Sequence, residues 1–238
     1  EQGKNLIIAV EEPEIHLPPG LQRILLHRIE SVTDQSITTT HSPNIAAYYR
    51  PTEVFVLSKI NGELKANPLV EKPLTHDTCN GVRKLLRDNR FSVVSALMHE
   101  YLIIPEGRID FEWLQNLTTC VEVNSGGNMQ EKCEYTLFGC VSGIIPTQDS
   151  AILPTFEVLS KVKSDLVVLV DGDSAGDEYI EMLIEIPEPP RCIIQWARGW
   201  VIEDVVFWIL EPKIEEFISS LSNYLGYTIS SKDELKEL

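Results

Sequence analysis

Two aspartates separated by a glycine follow the most strongly apolar segment of the sequence. The segment LVVLV ends at residue 170, and Asp171-Gly172-Asp173 comes directly after it. Aspartate and glycine both favour turns, so the triplet taken alone indicates a turn. Glycine also allows a sharp bend that could direct both carboxylates into one crevice. Because Mg²⁺ prefers oxygen ligands, the triplet is also a candidate metal site.

A third carboxylate, Glu106, comes shortly after another predicted strand, YLII. The carboxyl ends of parallel strands meet at one edge of an α/β sheet, so the sheet could bring Glu106 to Asp171 and Asp173. Hydrolysis of a phosphodiester requires an activated water and a stabilised leaving oxygen, and two hard cations about 3.5–4 Å apart supply both. We therefore expect these three acids to be catalytic and to bind Mg²⁺ or Mn²⁺, with Glu106 as either a metal ligand or a general base.

Arg198 is the candidate cation for stabilising the phosphate in the transition state. It lies close to Glu203 in the sequence, and a cation there could stabilise the pentavalent phosphate. Lys213 is a competing candidate, and a plain surface position is an equally good interpretation of Arg198.

Alternating strands and helices are expected to position these side chains. After residue 99 the hydrophobic pattern changes repeatedly between strand-like and helical segments, which is typical of a parallel α/β sheet. Strands are predicted in the segments 101–104, 120–129 and 165–173, helices in 110–117, 152–164 and 174–186, and a strand, a turn and a helix in 191–210.

The first part of the chain carries a similar pattern. Residues 5–10 are predicted to be a buried parallel strand, and residues 36–40 a second strand. A hairpin is predicted around Asn61-Gly62. Helices are predicted over 21–31 and 81–98, and the second of them begins with basic residues that indicate a solvated face or a phosphate contact: Arg83, Lys84, Arg87 and Arg90.

The 238-residue chain has a net charge of −16 that is distributed unevenly. Residues 1–95 carry 11 acidic and 11 basic side chains, whereas residues 96–238 carry 25 acidic and 9 basic side chains. This change in charge balance predicts a domain boundary near residue 95. An acidic surface repels phosphate backbones, so DNA binding by the second part would require metal ions or a cationic neighbour.

Five cysteines are present without a CxxC pair, which predicts reduced thiols in a cytoplasmic protein rather than a disulfide framework or a zinc site. No apolar run reaches the ~18–20 residues that a membrane span needs, so no membrane partner is expected. The chain opens with Glu-Gln-Gly-Lys rather than with Met, and we expect it to be a piece of a longer protein.

The segments LIIAVEEPEIHLPP and TTTHSP together resemble the C-terminal part of an ABC-type ATPase domain. Four apolar residues followed by two acids resemble its Walker B strand, and a histidine after a second strand resembles its H-loop. The resemblance implies that Glu11 supports Mg²⁺ through water, that Glu12 polarises the attacking water and that His41 contacts the γ-phosphate of ATP. Phosphoryl transfer needs a held metal, an oriented water and a donor to the γ-oxygens, and these roles supply them.

The second part resembles the Toprim fold of primases, topoisomerases and certain nucleases. PEGRIDFEWL is similar to its first motif, with Pro105 in place of the usual Val, and Ile109 and Asp110 in place of the usual Thr-Glu. VLVDGDSAGDEY is similar to its second motif. RGWVIEDVVF resembles a late acidic segment in which a glutamate helps to bind a second metal. The resemblance therefore implies five metal ligands: Glu106, Asp110, Asp171, Asp173 and Glu203.

An ABC-type ATPase segment followed by a Toprim segment resembles the OLD (overcoming lysogenisation defect) family of nucleases, which includes the Gabija-type defence nucleases. The expected fold is α/β, with the ATPase part at 1–75, a helical linker at 76–98 and a Toprim domain at 99–238. The resemblance implies DNA cleavage that depends on Mg²⁺ or Mn²⁺, control by ATP, a homo-oligomer, a partner defence protein and a role against phage.

Two other functions are compatible with the sequence. A Toprim domain could serve strand passage or priming, and Tyr135 and Tyr179 are available nucleophiles for strand passage. The acids could instead be remnants in a non-catalytic assembly or partner-docking module attached to an ATPase. The acidity of the second part and the departure at Pro105 favour this last interpretation.

We expect the isolated chain not to hydrolyse ATP. No GxxxxGK[ST] segment occurs in the 238 residues, so this sequence lacks the loop that cradles the phosphates of ATP. A malachite-green assay with ATP and Mg²⁺ should therefore detect no phosphate release above a protein-free control. Phosphate release that is lost in the variant Glu12→Gln would contradict this expectation.

Overall fold

The computed structural model describes residues 6–60, 62–124, 138–148, 151–231 and 234–235. It has a mixed α/β fold in which parallel sheets are flanked by helices. The strands are β1 (Ile7–Glu11), β2 (Gln35–Thr39), β3 (Phe55–Ile60), β4 (Glu63–Pro68), β5 (Tyr101–Pro105), β6 (Ser142–Ile144), β7 (Leu166–Val170) and β8 (Cys192–Gln195). The helices are α1 (Pro19–Val32), α2 (Pro43–Ala46), α3 (Asn80–Asp88), α4 (Arg90–Leu97), α5 (Arg108–Asn124), α6 (Ile152–Leu159), α7 (Ser174–Ile184), α8 (Ile202–Leu210), a 3-10 helix (Glu211–Lys213) and α9 (Ile214–Leu225).

A four-stranded parallel sheet organises the second part of the chain, in the spatial order β6-β5-β7-β8. Parallel strands need crossover connections, and α5 and α7 supply two of them here. Strand β7 reads LVVLV because a parallel strand in mid-sheet is covered on both faces, and four of its five residues are buried. The carboxyl ends of β5, β7 and β8 therefore lie at one edge of the sheet.

One hydrophobic core joins this sheet to helices from the middle of the chain. Leu102 and Ile104 of β5 and Val168 of β7 are completely buried in it. The segment predicted as a helical linker also packs into this core, and its boundaries with the neighbouring parts stay a prediction. The buried residues that α3 and α4 contribute are Val82, Leu85, Leu86, Val93, Val94, Ala96 and Leu97.

The first part of the chain forms two smaller sheets. β1 pairs with β2 in parallel, and β3 pairs with β4 in the predicted hairpin, where Gly62 has a φ of 86°. Asn61 lies outside the described residues. The expectation that β1 is buried is wrong, because none of its residues is buried and Ile7 is 61% exposed. The reason is that β1 and β2 form a sheet of only two strands, which leaves most of their apolar side chains uncovered.

The prediction of a strand within 120–129 is wrong for residues 120–124. Helix α5 continues to Asn124, and residues 125–129 lie outside the described residues. The hydroxyls of Thr118 and Thr119 donate to the carbonyls of Leu114 and Gln115 one turn earlier, so these β-branched residues are accommodated within the helix.

The single helix predicted over 81–98 is two helices. α3 ends and α4 begins at Asn89, whose backbone angles (φ −106°, ψ 20°) are not helical. Asparagine hydrogen-bonds readily to nearby backbone groups and is therefore a poor residue for a helix interior. Both helices bury apolar side chains in the same core.

The cysteines in the described part of the chain are free and exposed: Cys79, Cys120, Cys140 and Cys192. Cys133 lies outside that part. Within the same residues, the helices are too short or too polar for any of them to cross a bilayer.

Arg90 connects α4 to the first part of the chain. Its guanidinium donates to the carbonyl oxygens of Tyr49 (2.9 Å), Leu86 (3.2 Å) and Ala47 (3.4 Å). Arginine suits this place because it offers five donors in a fixed arrangement. Arg90 therefore has a third role, beside the solvated face and the phosphate contact that its sequence context indicates. Arg87, by contrast, pairs with its neighbour on the surface and is 63% exposed.

Replacement of Arg90 by Met should lower the free energy of unfolding by about 1–3 kcal/mol, because three partly buried carbonyls lose their donor while the apolar stem is kept. Arg87→Met is the matched control, since it removes the same charge from an exposed ion pair and should leave the stability nearly unchanged. Urea unfolding followed by circular dichroism measures both. Equal shifts in the two variants would contradict this role of Arg90.

Candidate metal and catalytic site at the sheet edge

Five acidic side chains lie together at the carboxyl edge of the four-stranded sheet. Glu106 follows β5, and Asp171 and Asp173 follow the adjacent strand β7. Asp110 lies in the first turn of α5 and Glu203 in the first turn of α8, and these two helices contact each other. The charges of the other four all act on Asp171. The structure therefore brings together the residues that the sequence motifs single out as metal ligands.

The turn at Asp171-Gly172-Asp173 is fixed by the loop that follows β8. The Gly172 N–H donates to the carbonyl of Trp200 (2.8 Å), and the Gly172 carbonyl accepts the N–H of Gly199 (2.6 Å). A Cβ on Gly172 would collide with the carbonyl oxygen of Ala197. Only glycine permits this close approach of the two loops. The triplet is therefore a turn and a part of the acid cluster at the same time.

Pro105 leaves the strand that carries Glu106 intact. The Ile103 carbonyl accepts the N–H of Ile145, so residue 103 faces β6. Residue 105 faces the same side because strands have a period of two, and β6 has already ended there, so the missing N–H of proline removes no ladder bond. The Glu106 Oε2 accepts the backbone N–H of Asp171 (2.9 Å) and ties the ends of β5 and β7 together.

Asp171 is the electrostatic centre of the cluster. Burial, and then the negative charges of Asp110, Glu106, Asp173 and Glu203, raise the pKa of the Asp171 carboxyl to about 7. The Oδ1 of Asp171 is buried and accepts no hydrogen bond. An ionised carboxylate in such surroundings is unfavourable unless a proton or a cation neutralises it.

The neighbouring carboxyls are perturbed in the same direction. Asp110 is 6% exposed, and burial together with the charges of Glu106 and Glu203 raises its pKa to about 6. Burial and the charge of Asp173 raise the pKa of Glu106 as well, against the backbone hydrogen bond that Glu106 accepts. All three carboxyls therefore keep their protons to a higher pH than isolated carboxyls do.

Asp173 and Glu203 occupy the starts of helices. Asp173 is the N-cap of α7, and its Oδ1 accepts the N–H of Gly176 (2.9 Å). A Cβ on Gly176 would collide with the carbonyl oxygen of Asp171, so α7 can begin this close to the turn only with glycine at that position. The helix dipole favours negative charge at both sites, which offsets part of the repulsion within the cluster.

The predicted cation and the candidate tyrosine nucleophiles are tied less directly to the carboxylate cluster than the acids are. Arg198 is exposed on the loop after β8, between two residues whose backbones contact Gly172. Lys213 is exposed on the 3-10 helix. Tyr179 packs against the hydrophobic core, and Tyr135 lies outside the described residues. Arg198 is thus beside the acidic turn, and its role stays a prediction.

Gln195 belongs to the site although its sequence context gives little sign of it. Its Nε2 donates to the Asp171 carbonyl (3.2 Å) and to Asp177 Oδ1 (2.8 Å), so it links the turn to α7. The one available signal is its place at the end of a strand, at the same edge as the acids. Asp177, in the first turn of α7, therefore also supports the turn.

The donor set of the cluster fits a hard divalent cation. All five side chains offer the carboxylate oxygens that Mg²⁺ prefers, and the buried Oδ1 of Asp171 has no hydrogen-bond donor. Over the residues that the structure describes, no three Asp, Glu, His or Cys side chains are already arranged to hold a metal ion. Repulsion among carboxylates that are not neutralised favours side-chain rotamers that point apart, so the ligands would have to turn towards an incoming ion.

The predicted ATP-site residues lie at the ends of the paired strands β1 and β2. Glu11 ends β1, Glu12 follows it, and the His41 Nε2 lies 3.6 Å from the Glu12 Oε1. The backbone of Glu12 has a φ of 42°, a left-handed conformation that costs a residue other than glycine about 1–3 kcal/mol. Its N–H donates to the Thr39 carbonyl (2.9 Å), which holds that conformation in place.

Glu14 positions the histidine segment, and the sequence motifs assign it no role. Its Oε1 accepts the backbone N–H of His41 (2.7 Å) and the hydroxyl of Thr40 (2.8 Å). Burial opposes ionisation of Glu14, but these hydrogen bonds and one from its own backbone N–H lower its pKa below the ordinary value. Glu14 is therefore a structural carboxylate that ties the loop after β1 to the loop after β2.

The chain has no match among the protein families or the curated proteins with which it was compared. Its geometry offers two acidic clusters, each at the carboxyl edge of a parallel sheet. The cluster around Asp171 contains more carboxylates and includes the buried Asp110. Its carboxylate oxygens are the donor type that hard divalent cations prefer, and the pKa of Asp171 within it is raised to about 7.

The stability of the metal-free protein should fall as the cluster ionises. The pKa of Asp171 is about 7 in the folded chain and about 3.9 in an unfolded chain. The folded state binds the proton more tightly, so this contribution to stability is complete below about pH 4 and is lost as the pH rises through about 7. In Asp171→Asn the loss should be smaller, as measured by urea unfolding at about pH 5 and about pH 8.

Glu178→Gln is the matched control, because Glu178 is exposed on α7 and the substitution removes a charge outside the cluster. Its stability should vary with pH as that of the unsubstituted chain does. Saturating Mg²⁺ should stabilise the unsubstituted chain at about pH 8 and have little effect on Asp171→Asn. Identical pH profiles for the unsubstituted chain and Asp171→Asn would contradict the raised pKa.

Proposed function

We propose that this chain is a metal-dependent DNA endonuclease of the OLD type, with a Toprim domain that hydrolyses phosphodiester bonds and the C-terminal part of an ABC-type ATPase domain. One observation carries the proposal: the buried Oδ1 of Asp171 lacks a donor and lies among four further carboxylates. A folded protein gains little from such a cluster unless cations bind to it. Anti-phage defence is the role that we propose for the cleavage.

In this proposal Glu106, Asp171 and Asp173 bind Mg²⁺ or Mn²⁺, and Asp110 and Glu203 complete the set of carboxylates. When bound, such cations activate water and neutralise the leaving oxygen of a phosphodiester. The raised pKa of Glu106 also suits it to accept a proton from the attacking water as a general base.

Two other features of the chain would act on the DNA. The exposed loop that carries Arg198 is hydrogen-bonded to the acidic turn by the two residues that follow it, Gly199 and Trp200, so its guanidinium could reach the phosphate oxygens. The 25 acidic and 9 basic side chains of residues 96–238 repel the DNA backbone. We therefore propose that bound cations, a second copy of the chain or a cationic partner defence protein compensate this repulsion.

ATP would act through the first part of the chain, where Glu11, Glu12 and His41 lie at the ends of β1 and β2. The phosphate cradle would come from outside this sequence. A change in this part could reach the second part through Arg90, because its guanidinium bonds carbonyls before β3 while α4 packs in the core of the parallel sheet. ATP control is thus proposed to use a contact that exists in the fold.

A non-catalytic module is the second candidate. Glu106 Oε2 and Asp173 Oδ1 each accept a backbone N–H at 2.9 Å, so these two acids stabilise the fold without any metal. In that case the acids would remain for structural reasons, and the chain would dock a partner or support assembly of the ATPase part.

Asp171→Ala should abolish cleavage of supercoiled plasmid in the presence of Mg²⁺ or Mn²⁺. We expect the rate to fall by at least about 100-fold, beyond the 10- to 100-fold effect of changes outside the direct ligands of a metal. Nicked and linear products resolved on an agarose gel give the rates. Addition of EDTA should stop cleavage by the unsubstituted chain.

Glu178→Ala is the matched control, since it removes the same charge from the exposed face of α7 and should cleave as the unsubstituted chain does. No cleavage by the unsubstituted chain with either metal would favour the non-catalytic module. A covalent protein–DNA adduct would favour strand passage. Cleavage that persists in Asp171→Ala would assign the activity to another site or to a contaminant.

A further inference from the structure

Two tryptophans lie beside the acidic turn. The Trp200 carbonyl accepts the N–H of Gly172 (2.8 Å), which fixes the backbone of Trp200 against the turn. The ring of Trp208, on α8, lies 6.5 Å from that of Trp200 between centroids, with an interplanar angle of 55°. The same helix carries Glu203 in its first turn. The aromatic pair is therefore built on the two segments that border the carboxylate cluster.

Trp208 is not a core residue. Its side chain is 62% exposed, although the apolar segment VVFWIL around it indicates burial. What distinguishes Trp208 from other exposed aromatic residues is its pairing with Trp200, whose backbone is bonded to the acidic turn. Trp200 is partly buried, and its ring packs against that of Trp208 at this tilt.

The net negative charge of the second part of the chain disfavours a contact between this ring and a phosphate backbone. The second part of the chain has few cations with which to hold a phosphate backbone, since 25 of its charged side chains are acidic and 9 are basic. Stacking of a nucleobase on an aromatic ring does not depend on charge, because every base has a π-face. Such stacking requires a base that is not covered by its neighbours in a duplex.

We infer that Trp208, supported by Trp200, stacks on an unpaired nucleobase of the DNA whose phosphate lies at the carboxylate cluster. The preferred substrate is accordingly single-stranded or frayed DNA, an inference that rests on the proposed nuclease function. Trp200 sets the place of this base, because its backbone is fixed against the acidic turn and its ring packs on Trp208.

Steady-state cleavage of a single-stranded oligonucleotide with Mn²⁺ tests the inference. In Trp208→Ala the KM for this substrate should rise about 5- to 100-fold, the loss that corresponds to one base–aromatic stack, while kcat stays within about twofold. Trp208→Phe should keep most of the affinity. The KM for the matching duplex should be the same in all three proteins.

The matched control is Tyr224→Ala, which removes an aromatic side chain that is 87% exposed on α9 and should change neither constant. An abasic nucleotide is moved along the strand one position at a time, and at the stacked position it should raise the KM of the unsubstituted chain by the same factor as Trp208→Ala. In Trp208→Ala the abasic nucleotide should have no further effect. Additive effects, or an unchanged KM in Trp208→Ala, would overturn the inference.

Quenching of tryptophan fluorescence by the single-stranded oligonucleotide separates this inference from the nuclease proposal. Quenching that is lost in Trp208→Phe, without cleavage, supports the stacking and rejects the nuclease. Cleavage that is independent of Trp208 supports the nuclease and rejects the stacking. If light scattering shows that Trp208→Ala dissociates an oligomer of the unsubstituted chain, a second copy covers this ring and the inference is wrong.

Discussion

The second part of this chain has to hold mutually repelling carboxylates together at the ends of β5 and β7. Several interactions hold the acids together against that repulsion. The Asp171 N–H donates to Glu106, the loop after β8 is bonded to Gly172 on both sides, and the start of α7 receives Asp173 as its cap. The buried strands behind the turn contribute the hydrophobic free energy that makes this arrangement possible. A cation would reverse the sign of the interaction, because each carboxylate would then be attracted to the same point.

Core packing and the hydrogen bonds of Arg90 connect the two parts of the chain. Helices α3 and α4 bury their apolar faces in the core of the parallel sheet, and Arg90 reaches from α4 to carbonyls of the first part. Each part places acidic residues after parallel strands, as open α/β sheets do with their ligands.

Structural features that depend on neighbouring residues in the sequence could be predicted. Features that depend on contacts between distant segments could not. The turn at Asp171-Gly172-Asp173, the hairpin at Gly62 and the strand β7 follow from residues that stand next to one another, and all three are in the structure. The length of α5 could not be predicted, because Thr118 and Thr119 form hydroxyl bonds one turn back and the helix continues past them to Asn124. The exposure of β1 and of Trp208 depends on what other segments leave uncovered, which no local pattern encodes.

By itself the sequence determined which side chains could act and that parallel strands would carry them, because turn chemistry and hydrophobic period are local properties of the chain. Only the tertiary structure decided that Asp110 is buried, that Asp171 has an oxygen without a donor, and that Pro105 removes no strand bond. It also decided that Gln195 and Glu14 hold the loops on which the acidic residues lie. Burial and electrostatic coupling depend on atoms far apart in the sequence, so they exist only once the chain has folded.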